Sequence, residues 1–408
     1  MLSKPIWLSS APRRVPMRLS ILIGLLYFLL VILYQLNTIN KPRETSVWEQ
    51  FSKDYELKRG RPPPPLLMHW LMYAQKHSCP LDQYETIYAD LERFRQSGLT
   101  ENDVLTAASS CPTCRLVKVE DGRLFIDLPS DRADYIRWML QPVLKTPGLR
   151  FTMAVNWDDR PYVQLSEDAS NKKPIMSWSV HKDGRNGDIR FPYDVGVFLW
   201  HPEDAIMWGM KDWKRREKAV VWRGTTTGAF ISPDLDWRSA PRFQLVSKFG
   251  RPGTVIGGIP ADIGFTEVLQ CHDDSECEIA KKEFAFSMRK HVAFEWFSYH
   301  QYVIDIDGNA FSARFAPLLR SGTVVLKIGD FYQWFHERIS PWEHYIPVDL
   351  SLSDLDEKIA WAVRNPDKAE AIAHNAAETA AKVIRDVDFR CYAYRLVIEY
   401  AALFEKSS

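Results

Sequence analysis

Apolar positions along the chain change period several times, and each change predicts an element. One stretch has no period at all: residues 19–40 carry no charged side chain, and 19–36 read LSILIGLLYFLLVILYQL. About 20 apolar residues at a helical rise of about 1.5 Å cross a hydrocarbon layer of about 30 Å, so one transmembrane helix is predicted here. Lys4, Arg13, Arg14 and Arg18 precede it. That charge keeps residues 1–18 as a cytoplasmic tail and sends the rest of the chain to the lumenal side. The run is longer than a signal-peptide core and ends without an Ala-x-Ala-like cleavage site, so an uncleaved anchor is expected. Residues 41–65 are polar and close on Arg-Pro-Pro-Pro-Pro, the composition of a stem.

Beyond the stem the pattern is that of an α/β body. Helical spacing recurs over 65–77, 81–96 and 130–145, and apolar strands are expected at 150–156 and 174–180. A second half starts with a short helix at 214–218 and a strand at 219–222. Its helix at 243–249 is followed by a buried strand at 302–306, a helix at 311–320, and strands at 323–328 and 345–348. Helices at 353–364, 366–384 and 389–405 close the chain. Strands alternating with helices predict doubly wound parallel sheets, and two such units in sequence leave a cleft between them. The expected organisation is a domain over 66–212, a second over 213–385, and a terminal helix over 386–408 that packs back on the body.

Composition adds exclusions. Fifty-two basic side chains balance 52 acidic ones over 408 residues, which argues against a nucleic-acid partner. The 46% apolar fraction is that of a globular chain, not a disordered or polytopic one. All six cysteines follow the anchor, as three disulfides in an oxidising lumen would require. Cys271 and Cys277 look like a local staple, and the Cys111-Pro-Thr-Cys114 pair like a structural bridge; the remaining connectivity is open. The 15 tryptophans suit sugar stacking but are explained first by packing.

Chemistry concentrates at two strand ends. The strand at 302–306 runs into Asp305-Ile-Asp307-Gly308-Asn309, and the helix expected after it would present free N–H groups, the hydroxyl of Ser312 and the guanidinium of Arg314 to a phosphate or diphosphate. Asp305-x-Asp307 has the form of a metal-binding pair, yet either aspartate could equally anchor the turn. The strand at 219–222 ends in Arg223-Gly-Thr225-Thr-Thr-Gly228, with Arg238 and Arg242 following as candidate clamps on the same phosphates. His181 and His201 lie where an acceptor side could be lined.

Trp222-Arg-Gly224, Asp305-Ile-Asp-Gly-Asn-Ala-Phe-Ser-Ala-Arg314 and Ser340-Pro-Trp-Glu-His-Tyr-Ile-Pro-Val348, in that order, resemble glycosyltransferase family 90. The resemblance runs from about residue 65 to 400. It implies a GT-B architecture, two Rossmann-like domains facing a cleft. It implies inverting, metal-independent transfer from UDP-glucose or UDP-xylose to a glycan or glycoprotein acceptor, with no resident cofactor. The family's base lies in Asn-x-x-Asp-x-Pro, here Asn156-Trp-Asp158-Asp159-Arg-Pro161, so Asp159 is the implied base. Adjacent residues of an extended chain point to opposite faces, so one of Asp158 and Asp159 is expected to be structural. The implied donor contacts are Thr225, Arg242, Asn309, Ala310, Phe311, Ser312, Ala313 and Arg314. Trp342, His344 and Tyr345 could shape the donor pocket. An anchored Golgi or endoplasmic-reticulum enzyme follows, and a non-catalytic sugar-binding or scaffold protein of the same fold is the alternative.

Overall fold

A computed structural model describes residues 46–127, 130–167, 172–193 and 212–404. The expected anchor at 19–40 and His201 lie outside the described residues. Among the described residues no helix is long and apolar enough to cross a membrane. The chain divides into two compact units, residues 1–63 and 64–408.

In the first unit the expected stem carries a helix, Val47–Arg59. Ser46 and Glu49 exchange hydrogen bonds as a capping box, and Gly60 closes the helix in the left-handed conformation. The Ser-x-x-Glu signal was present in a stretch whose low apolar content reads as linker.

The second unit holds the body. Its strands are β1 (Cys114–Glu120), β2 (Arg123–Ile126), β3 (Phe151–Asn156), β4 (Ile175–Ser177), β5 (Val180–His181), β6 (Ile189–Arg190), β7 (Glu217–Thr225), β8 (Val255–Ile256), β9 (Ile259–Glu267), β10 (His300–Ile306), β11 (Val324–Ile328), β12 (Phe331–Tyr332) and β13 (Ile346–Val348). One sheet has the order β2-β1-β3-β4-β6 and the other β13-β11-β10-β7-β9-β8.

The second sheet is the doubly wound one. Its parallel strands β7, β9, β10, β11 and β13 stand in the spatial order 2-1-3-4-5. In that order the chain winds outward in both directions from between β7 and β10, so their carboxyl ends open a crevice suited to a ligand. β10 is buried at every position, as a central parallel strand must be. The first sheet departs from the expectation. β3, β4 and β6 are parallel, but β1 pairs antiparallel with both β2 and β3, so it is a mixed sheet. The hairpin turn is Asp121-Gly122, both with positive φ (50° and 72°), the geometry that an Asp-Gly pair favours.

Other differences have local causes. The short helix expected at 214–218 is a 3-10 turn, Trp213–Arg215, because β7 already begins at Glu217. The helix expected over 311–320 forms only at Phe315–Arg320. Side-chain bonds to Asp305 and Asp307 hold Ser312 out of it. The helices Glu101–Ser110 and Asp274–Glu283 and the strand β9 were not anticipated.

The last helix, Asp386–Ala401, is buried nearly all round and packs on the first half. Cys391 bridges to Cys79, Glu399 takes Tyr88 at 2.8 Å and Arg95 at 3.2 Å, and Tyr400 donates to the Thr152 carbonyl. The other disulfides are Cys111–Cys114 and Cys271–Cys277, so all six cysteines are paired.

Candidate active site

The two strand ends singled out in the sequence meet the loop after β3 at one cleft of about 710 Å³. Asp159, Thr225, Arg242, Asn309, Phe311, Ser312, Ala313 and Arg314 all line it. Ala310 does not; it is buried beneath the loop.

The loop that carries Asp159 is built around Asn156, the last residue of β3. The Asn156 amide oxygen accepts from Thr113 Oγ1 at 2.7 Å and from the Asp158 N–H at 3.0 Å. Its amide nitrogen donates to the Arg160 carbonyl at 2.8 Å and to Ser177 Oγ at 3.1 Å. Asp158 Oδ1 accepts from the Arg160 N–H at 2.9 Å, a local turn. Asp159 is exposed, and its Oδ2 accepts from Asn309 Nδ2 at 3.0 Å across the cleft. Of the two, Asp159 lines the cleft and Asp158 turns back into its own loop.

Opposite stands a buried charge network. The parallel register of β10 and β11 puts Lys327 beside Asp305. Lys327 Nζ donates to Asp305 at 2.7 Å and to Asp307 at 2.6 Å. Asp307 also accepts from the N–H groups of Ser312 (3.1 Å), Asp330 (2.9 Å) and Phe331 (3.3 Å), and Ser312 Oγ donates to Asp305. Burial pushes the Asp307 carboxyl up, against the pull of Lys327. For Lys327 burial opposes the charge, but the two carboxylates outweigh it and hold the ammonium above its usual range. A Cβ on Gly329 would stand 2.2 Å from Asp307 Oδ2, so only glycine lets the chain pass. Both carboxylates therefore anchor the turn. Ser312, expected to offer its hydroxyl to a phosphate, directs it inward to Asp305.

The arginines divide by environment. Arg314 donates to the Arg223 carbonyl, and its guanidinium is pushed down by burial, with Asp305 pulling the other way. Arg242 donates to the carbonyls of Asp307 (3.0 Å), Thr225 (3.0 Å) and Ile306 (3.1 Å) and to Thr227 Oγ1 (2.7 Å). Burial and then the charge of Arg314 push it down. Arg242, buried, and Arg314, half-buried, are mutually repelling cations on one wall, and such a pair favours an anion beside it. Arg238 instead pairs with Glu283 at 2.6 Å on the surface and stacks on Trp237.

The motif residues outside the cleft are packing. Trp222 lies in the core of the second sheet; Arg223 and Gly224 of the same motif do line the cleft, where Arg223 stacks on Trp296 and pairs with Asp262. Trp342 meets Trp361 edge-on at 5.0 Å, His344 reaches Thr379 Oγ1, and Tyr345 packs against Phe315. His181 binds Asn186 at 2.6 Å and stacks on Phe331 at the β5–β12 ladder. Sequence reasoning missed Tyr193, Glu267, His291, Phe294 and Phe297, which also line the cleft. The aromatic run at 294–299 was a legible signal for the last two, whereas Glu267 needed β9 to be recognised.

Comparison with known proteins agrees with the motifs. A family model described as glycosyl transferase family 90 matches residues 74–246 and 265–407. Protein O-glucosyltransferase 1 of Rattus norvegicus is 33% identical over 300 residues, 69% of each chain. Protein O-glucosyltransferase 3 of Rattus norvegicus is 33% identical over 275 residues, 66% of this chain but 50% of that protein, so the match spans about half that relative's length. Among solved structures, Anabaena Alr3699/HepE in complex with UDP-glucose overlaps at a TM-score of 0.31 and 11% identity, covering 56% of this chain and 62% of that one. So partial an overlap defines no architecture. The family model covers the first sheet, the second sheet apart from β8 and most of β9, and the closing helix, and on that evidence the chain belongs to glycosyltransferase family 90.

Proposed function

We propose that this chain is an inverting glycosyltransferase that moves glucose or xylose from a UDP-sugar to a hydroxyl of a glycoprotein or glycan. The observation that carries this reading is that Asp159 faces the same cleft as the crevice between β7 and β10. A carboxylate on one wall can take the acceptor's proton as its oxygen attacks C1. Cationic and N–H groups on the other wall can stabilise the departing diphosphate. The two sheets are then the halves of a GT-B enzyme, with the donor on the second.

Arg314 is the main guanidinium for the diphosphate, because Arg242 already serves four acceptors of the chain. Thr225 Oγ1 and Thr227 Oγ1, 3.2 Å apart, add hydroxyls at the mouth of the crevice. No metal takes part in this reading, since Lys327 supplies the charge that a cation would bring to Asp305 and Asp307. Relatives named protein O-glucosyltransferases favour glucose and a glycoprotein acceptor. The three disulfides suit an oxidising compartment, with residues 19–40 as the anchor in a Golgi or endoplasmic-reticulum membrane.

A donor screen of the full chain against UDP-glucose, UDP-xylose and other UDP-sugars, with and without chelator, tests the whole reading. Transfer from one of the first two, unaffected by chelator and giving a β-linked product from the α-linked donor, is expected. Loss on chelation restored by Mn²⁺ would overturn the metal-free part, and an α-linked product would overturn inversion. UDP-sugar binding without turnover would favour a sugar-binding protein instead.

A further inference from the structure

Asn309, in the loop after β10, ties that loop to the other two loops of the site. Its Oδ1 accepts from the Gly228 N–H at 2.9 Å in the loop after β7. Its Nδ2 donates to Asp159 Oδ2 at 3.0 Å in the loop after β3, and its carbonyl accepts from Arg160 Nε at 3.2 Å. The orientation of the amide is forced from both ends. The Gly228 N–H needs an acceptor and an ionised carboxylate can only accept, so the oxygen must face Gly228 and the nitrogen Asp159. The two donor-side loops touch: Gly228 has φ +104°, and a Cβ there would stand 2.9 Å from the Gly308 carbonyl.

Asp159 needs such a partner. It is exposed, with nothing like the buried network that fixes Asp307 opposite, and a free side chain would visit several rotamers. A bond from a neutral amide to a carboxylate is charge-assisted and directional. A base displaced by about 1 Å can cost about a hundredfold in rate.

We propose that Asn309 is a positioning residue for transfer: it aims the Asp159 carboxylate and ties that aim to the two loops that receive the donor diphosphate. This differs from the donor contact implied by the family resemblance, because both ends of the amide already serve the chain. It rests on the reading of Asp159 as the base.

The test uses the full chain, measuring kcat, KM for donor and acceptor, UDP affinity by calorimetry, and thermal melting for Asn309→Ala, Asn309→Asp and Asp159→Asn. Asn309→Asp keeps an acceptor for the Gly228 N–H, removes the donor to Asp159 and sets a repelling carboxylate oxygen in its place. Both Asn309 variants are expected to lose about tenfold to a hundredfold in kcat while UDP affinity stays within about twofold. UDP binding at that level also shows that the variants are folded. Weakened UDP affinity with kcat intact would make Asn309 a donor contact and overturn the proposal. Asp159→Asn without activity, beside Asn309 variants of normal kcat and affinity, would overturn this inference alone. Asp159→Asn with full activity would overturn the base assignment itself.

Discussion

The two walls of the cleft solve opposite problems. The donor-side wall buries its charges: Asp305, Asp307 and Lys327 satisfy one another at 2.6–2.7 Å, and Arg242 lies buried and Arg314 half-buried beside them. The Asp159 wall is a loop exposed at Asp158, Asp159 and Arg160, held from beneath by the buried Asn156 amide and from across the cleft by Asn309. On the proposed function, a wall that stays electrostatically set for a diphosphate gains from rigidity and low dielectric, and a wall that admits an acceptor must stay open. The reactive group of the open wall is therefore held through few contacts. Removing a donor-side charge should therefore damage folding, whereas removing Asp159 should damage only turnover.

The largest effect expected tests that division directly. Asp159→Asn should lower kcat by about 10²- to 10⁴-fold, the range for a lost general base, with UDP affinity and melting temperature unchanged. Asp158→Asn keeps the acceptor oxygen for the Arg160 N–H and should change kcat by less than about threefold. Equal losses in steady-state assays of the two variants would break the assignment. Lys327→Met should act on the other side. It leaves two buried carboxylates without their cation, a loss of about 3–5 kcal/mol in urea denaturation, or failure to fold. A Lys327→Met protein of normal stability would mean that the donor wall is less tightly coupled than its distances imply.

A smaller effect follows from His336, which packs among Phe315, Tyr332 and Phe335 and accepts from the Gln333 N–H through Nδ1. Burial first, then Lys327 and Arg190, push its imidazole well below the usual range. The unfolded chain binds a proton there that the fold refuses. Stability should therefore be full above about pH 6.5 and fall as the pH drops below it, by up to about 1.4 kcal/mol per pH unit. Urea midpoints from pH 7.5 to 5 check this, and His336→Phe should flatten the slope.

How much of this was legible depends on whether the partners were near in sequence. The buried run of β10 and the glycine turns after β7 and β10 are local patterns and point to their cleft residues, whereas Asp159 was named only through the resemblance of Asn156–Pro161 to the family's Asn-x-x-Asp-x-Pro. The hairpin β1–β2 was equally local, with Asp121-Gly122 between alternating apolar residues, but its polar faces do not look like a central strand. The role of Asp305 was not local. Its partner Lys327 lies 22 residues away, and only the parallel register brings them together. Even so, one lone lysine and one lone aspartate inside two buried strands is a pairing signal, since neither charge could be buried alone. Reading Asp305-x-Asp307 as a metal pair overlooks that lysine.

The choice between Arg238 and Arg242 is the finest case, and its expected effect is the smallest. Both follow the loop after β7, and spacing alone cannot separate them. The 3-10 turn Trp237–Ser239 carries Arg238 outward to Glu283, while the helix Pro241–Phe249 opens with Arg242 aimed under the crevice. A pair as exposed as Arg238–Glu283 contributes at most about 1 kcal/mol, less at high salt. Arg238→Ala should therefore shift the urea midpoint slightly, erase that shift in about 1 M salt, and leave kcat and donor KM within about twofold. A donor KM raised tenfold in Arg238→Ala would place the second guanidinium of the donor wall at 238. It would leave Arg242 a purely structural clamp between the ends of β7 and β10.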